Sequence, residues 1–131
     1  MNILLDTHTL LWSLTNSKHL PEDIKNIICD TNNDVFVSTA SLWEIEIKHQ
    51  KNPELMPFDS DQVLKAIFDS DYGLLNITYF HILGLKEIIS QKIHNDPFDH
   101  LLLSIAKKEQ MMILTHDELI NKYDGVNITK Y

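Results

Sequence analysis

Short apolar runs alternating with stretches of helical periodicity set the layout of this chain. Residues 2–5, 34–37, 73–77, 111–114 and 126–129 each have the length and character of a short strand. Between them the apolar residues recur at helical spacing, as with Leu10, Leu11 and Leu14, or Ile24, Ile27 and Ile28 behind Pro21. Strands separated by helices imply parallel crossover units, because a parallel neighbour cannot be reached through a hairpin. The fold class that follows is α/β, a doubly wound sheet with helices on both faces.

The helix boundaries carry their own signals. Ser38 or Thr39 caps a helix over 40–50, Ser60 or Asp61 caps 62–69, and Thr78 caps a helix reaching about residue 88. Asp96 stands at the cap of a helix that opens with Pro97 and runs to about residue 110; Asp117 caps a short one near the end. The Pro-containing stretch 52–59 is the longest loop, and no repeat, low-complexity segment or Gly/Ser linker interrupts the pattern. At 131 residues the chain reads as one domain, and 44% apolar with 23% charged content reads as soluble and globular. No run has membrane-spanning length and the start lacks a basic segment before an apolar core, so the expected location is cytoplasmic. The one cysteine, Cys29, lies in an apolar-periodic stretch and is expected to be a small buried side chain.

Four acids fall where this layout would gather them. Asp6 ends the first strand, Asp117 follows the strand at 111–114 through Thr115-His116, and Glu44 and Asp99 lie on helices between. In open parallel sheets the site forms outside the carboxyl ends of the strands. Converging carboxylates repel one another and call for a cation, and hard divalent ions such as Mg²⁺ take oxygen ligands. The set points to metal-assisted chemistry on a phosphate. Each acid also has a plain structural role open to it. Asp6 and Asp117 can cap helices, and Glu44 can pair with Lys48 at i, i+4, which would either hold Glu44 or leave Lys48 to touch a phosphate. Asp99 falls inside the apolar arc of Phe98, Leu101, Leu102, Leu103, Ile105 and Ala106, with His100, Ser104, Lys107 and Lys108 on the opposite, solvated face. Asp99 is therefore favoured as the ligand and Asp96 as the cap, with an outer-ligand role open to Asp96. Thr115 can bond to Asp6 or to a metal-bound water.

Net charge is −8, and all 11 basic residues are Lys, so bidentate clamping of phosphate by Arg is unavailable. A local Lys stripe, hydroxyls, backbone N–H groups or metal would have to supply any phosphate contact.

Taken together, the segments Leu4-Leu5-Asp6-Thr7-His8-Thr9-Leu10-Leu11-Trp12, Ser41-Leu42-Trp43-Glu44-Ile45-Glu46-Ile47-Lys48, His94-Asn95-Asp96-Pro97-Phe98-Asp99 and Leu114-Thr115-His116-Asp117 resemble the PIN-domain ribonucleases. They are similar in particular to the VapC-type toxins of type II toxin–antitoxin pairs, in order and spacing along the whole chain. The resemblance implies a PIN-like three-layer α/β/α nuclease domain over 1–131, with a central parallel sheet of about five strands. It implies Mg²⁺ or Mn²⁺ held by Asp6, Glu44, Asp99 and Asp117, activating water for in-line attack on an RNA phosphodiester. It also implies homodimerisation and a small antitoxin that blocks the acidic groove. Relatives often carry Arg where this chain has His100, which would make an interaction at that position pH-dependent.

Other readings fit less of the sequence. A haloacid-dehalogenase-like phosphatase needs a second acid two residues after the first, where Thr9 or His8 stands; a response-regulator receiver needs paired acids at that strand end and a Lys after the last strand. The 7 histidines show no zinc-site spacing, and His8, His49, His81 and His94 read as surface, capping or RNA-stacking residues. Trp12 and Trp43 read as core or dimer-interface residues. The alternative from another class is a PIN-like module that acts by protein contact without catalysis.

Overall fold

The computed structural model describes all residues, 1–131. Five parallel strands, β1 (Asn2–Leu5), β2 (Asp34–Ser38), β3 (Gly73–Leu75), β4 (Met112–Thr115) and β5 (Asn127–Lys130), form one sheet in the order β3-β2-β1-β4-β5. The chain moves outward from β1 to β3, then returns to place β4 on the other side of β1. That reversal makes the β1/β4 junction the topological switch point, where the carboxyl ends of both strands open onto a crevice.

Strand residues alternate between two cores, as the two-residue period of a strand requires. Ile3, Leu5, Val35, Val37, Met112 and Leu114 point to one face, where they meet Leu10 of α1 (Thr7–Leu14), Ile24 and Ile28 of α2 (Glu22–Cys29), Ile45 of α3 (Thr39–Lys51), and Val63 and Ile67 of α4 (Ser60–Asp69). Leu4, Ile113 and the partly buried Phe36 and Ile128 point to the other. There they meet Ile88 of α6 (Leu85–Ile89) and Leu101, Leu102, Leu103, Ile105 and Ala106 of α7 (Pro97–Lys108). The result is the three-layer α/β/α arrangement expected from the sequence. No helix is long and apolar enough to cross a membrane.

Some expectations need correction. The helix expected from Thr78 to about residue 88 is two short ones, α5 (Tyr79–Leu83) and α6, joined at Gly84. A Cβ at Gly84 would collide with Ser104 Oγ, so the glycine lets α5 press onto α7. Helix α4 is capped by Asp59, not by Ser60 or Asp61, because only Asp59 has Gln62 three residues on to close a capping box. The third strand stops at Leu75, α7 ends at Lys108, and the helix after Asp117 is a single 3₁₀ turn, Ile120–Lys122. Cys29 is exposed at the end of α2, since the apolar side of that helix is used up by Ile24 and Ile28. His100 and Ser104 are buried, not solvated, because His94 and Tyr123 pack against His100 and α5 lies against Ser104.

Candidate active site

Asp6 leaves β1 at the switch point in extended backbone and caps α1, its Oδ1 accepting from Thr9 N at 2.8 Å. Its Oδ2 accepts from Thr115 Oγ1, at the end of β4, at 2.5 Å. The cap and the candidate ligand are thus one residue. Burial leaves Asp6 only 4% exposed and raises its pKa above the usual carboxylate value against the hydrogen bonds from Thr115 and Thr9. Asp117 N in turn donates to Thr115 Oγ1 at 3.0 Å, which ties the two strand ends to one hydroxyl. Asp117 Oδ1 accepts from Leu119 N and Ile120 N at 2.7 and 3.0 Å, the capping role its position allows.

Glu44 is 5% exposed on α3. Its Oε2 is paired with Lys48 Nζ at 2.6 Å, as the i, i+4 spacing anticipates, and its Oε1 accepts from Thr7 Oγ1 at 2.7 Å. Thr7 Oγ1 also lies 3.0 Å from Ser41 Oγ, from which it can accept, so the residue after Asp6 brings the Glu44 carboxylate to the same end of the sheet. Lys48 remains half-exposed, with its far side open to solvent.

On α7, Asp96 Oδ1 accepts from Phe98 N and Asp99 N at 2.9 and 3.1 Å; it is the cap. Asp99 Oδ2 lies 2.8 Å from His94 Nε2, whose Nδ1 meets Tyr123 Oη at 2.9 Å. The buried His100 ring holds the same loop, its Nε2 lying 2.8 Å from the His94 carbonyl. Burial pushes Asp99 up to about 6, and the nearby negative charges of Asp96 and Asp117 push the same way, while His94 opposes them.

All four sequence-assigned acids therefore lie around the carboxyl ends of β1 and β4. Their oxygens suit a hard cation, and burial raises both Asp6 and Asp99, with Asp96 and Asp117 adding to the rise at Asp99. No three of these side chains already stand at ligating distance from a common point. Each carboxylate is held by its own partner: Thr115, Lys48 and Thr7, His94, or backbone N–H groups. The donor set fits a Mg²⁺ or Mn²⁺ ion in kind, and loading one would require Glu44 and Asp99 to share their present contacts.

Several positioning residues carry weak sequence signals. Thr7 and Thr9 are buried hydroxyls beside the first acid, and polar residues in so apolar a run are the clue to them. Nothing in the local period reveals His94, because the turn through Asn95 and Asp96 brings it back onto Asp99. The largest cavity, about 680 Å³, lies by Ile28, Asp34 and Gly73, where β2 and β3 begin, away from the acids. Trp12 is half-buried and packs against the core on the α1 face, whereas Trp43 is not core but exposed against Phe98.

A family model described as the PIN domain matches residues 3–126. No curated protein sequence matches the chain. Among solved structures, a chain of VapBC2 from Rickettsia felis, bound to a DNA fragment from its promoter, has a TM-score of 0.70 at 15% identity, over 100% of this chain and 99% of that one. A chain of DNA-bound VapBC from Salmonella typhimurium gives 0.71 at 17%, over 99% and 98%. One of VapBC-5, from a Mycobacterium tuberculosis toxin–antitoxin family, gives 0.61 at 14%, over 98% and 96%. At these identities the likeness is one of fold.

Proposed function

The chain belongs to the PIN-domain family, and from that premise we propose that it is a metal-dependent endoribonuclease acting as the toxin of a type II toxin–antitoxin pair. The observation that carries this reading is the placement of Asp6, Glu44, Asp99 and Asp117 around the switch point, two of them with raised pKa values. These four would hold Mg²⁺ or Mn²⁺. The ion, when bound, would supply an activated water and offset charge on the phosphate under attack.

The chain's own residues do the positioning. Thr115 fixes the Asp6 carboxylate against β4, Thr7 fixes Glu44 beside it, and His94 fixes Asp99. Lys48, with its half-exposed ammonium next to Glu44, is the cation placed to meet a substrate phosphate, and no Arg competes for that role. Asp96 acts through the helix by ordering the first turn that carries Asp99.

An antitoxin partner is supported by the neighbours solved as VapBC assemblies, and a homodimer by an apolar stripe left open on α5. The alternative, a PIN-like protein-binding module, draws on the satisfied state of every carboxylate. Purified protein incubated with total cellular RNA in Mg²⁺ or Mn²⁺ separates the two. Cutting that disappears with EDTA and in Asp6→Asn supports the nuclease; folded protein that leaves the pool intact favours the module.

A further inference from the structure

An aromatic column runs along α1 and ends at the acidic pocket. The Trp12 ring stacks on His19 at 5.2 Å and 30°, and on His8 at 5.8 Å and 19°. His116 meets Trp12 edge-on at 5.6 Å, and Tyr131 does so at 6.4 Å. His8 lies one helical turn before Trp12 and His19 follows the end of the helix, so His8 is the ring nearest the amino end, beside Asp6. His8, Trp12 and His116 line a pocket of about 370 Å³ together with Asp6, Asp117 and Glu118. His8, His19 and His116 are all exposed. Rings gathered for packing alone would be covered by the chain; these are stacked on one another and left open at the edge of the candidate site.

We propose that the column is a stacking platform for a nucleobase of single-stranded RNA, with His8 as the ring the base lies on and Trp12 as its rigid backing. The inference rests on the ribonuclease reading and names how that site holds its substrate. A chain with net charge −8 and no Arg has little long-range attraction for a polyanion, and the pocket itself carries three acids. Stacking needs no net charge and accepts every base, because each has a π face. It also selects unpaired strands, whose bases can splay onto aromatic or imidazole rings. Seated on His8, a base would place its own backbone over the pocket that holds Asp6 and Asp117.

The test uses the full chain carrying Trp43→Phe and Asp6→Asn, so that Trp12 is the sole tryptophan, excited selectively over the four tyrosines, and RNA is not cut. With EDTA present, the protein is titrated with a mixed-sequence single-stranded RNA 12-mer, an abasic strand of equal length, an RNA duplex and a hexa-arginine peptide. Saturable quenching by the single strand is expected, with weak response to the abasic strand and the duplex. His8→Ala should weaken binding on the order of ten- to a hundredfold, and His8→Phe, which keeps a ring and removes the imidazole, should restore it. Unchanged affinity in His8→Ala, or an abasic strand that binds as well, overturns the platform. A response to hexa-arginine with none to RNA overturns it too and assigns the rings to a cationic protein segment. The two readings fail separately. Metal-dependent cutting with no loss in His8→Ala removes only the platform, whereas RNA stacking on His8 without metal-dependent cutting removes only the nuclease.

Discussion

The Asp99 carboxyl shows how the candidate site is held in tension. Its pKa of about 6 lies above the ordinary value of 3.8, so the folded protein binds this proton more tightly than the unfolded chain does. The sign follows directly: the metal-free fold has its full contribution from this group below about pH 4 and loses it as pH rises to about 6, by at most about 3 kcal/mol at roughly 1.4 kcal/mol per unit. Asp6 is shifted the same way by burial. Asp99→Asn should therefore raise the midpoint of urea unfolding at pH 7.5 without metal, and flatten its pH dependence between about 4 and 6. A lower midpoint would mean that the His94 contact outweighs the buried charge. Mg²⁺ or Mn²⁺ should raise the melting temperature of the wild type and leave Asp99→Asn nearly unmoved, since the ion offsets the same repulsion; equal shifts in both would remove Asp99 from the ligand set. Asp96 divides cleanly from Asp99. Asp96→Asn keeps a good cap and should keep RNA cleavage, Asp96→Ala should lose about 1 kcal/mol of stability, and Asp99→Asn should lose cleavage.

Helix α5 shows where local pattern stops being informative. The strands were legible because each core strand alternates sides between two packed faces, and the acids were legible because strand ends in a parallel sheet share one edge. The polar side of α7 was not. His100 and Ser104 line up with Lys107 on a helical wheel and read as solvated, yet His94 and Tyr123 close over His100, and Ser104 Oγ donates to the His81 carbonyl of α5 at 2.6 Å. Periodicity reports which residues share a face, and tertiary packing decides what that face meets. The break at Gly84 has the same origin: its φ of −72° is ordinary helix and does not demand glycine, so the poor helix former is there for the close approach to Ser104. Gly84→Ala should improve intrinsic helicity and nevertheless destabilise the protein by about 1–3 kcal/mol through overpacking. In the Ser104→Ala background the loss should shrink, because the colliding oxygen is gone; thermal unfolding of the four members of that double-mutant cycle reads the coupling. Additive losses would place the strain elsewhere.

Across the molecule, α5 is turned inside out. Its polar residue, His81, is 1% exposed and bonded to Glu109 at 2.8 Å, while Tyr79, Ile82 and Leu83, at i, i+3 and i+4, are 81%, 47% and 59% exposed. Ile89 on α6 and Phe80, which lies under Lys108, extend the apolar surface. A fully buried aromatic contributes about 150–250 Å², so these five side chains offer roughly 500 Å² of apolar area. That would form the centre of an interface of about 800 Å² per partner, next to an edge where Lys107 is already paired with Glu87. In an isologous dimer a two-fold axis would lay this apolar stripe against its own copy. Leu83→Glu places a carboxylate in the centre of that stripe without touching His81 or the acids around β1 and β4. Sedimentation of the wild type should give a dimer and Leu83→Glu a monomer with unchanged circular dichroism. A wild type that sediments as a monomer at high micromolar concentration would leave the stripe to a different protein.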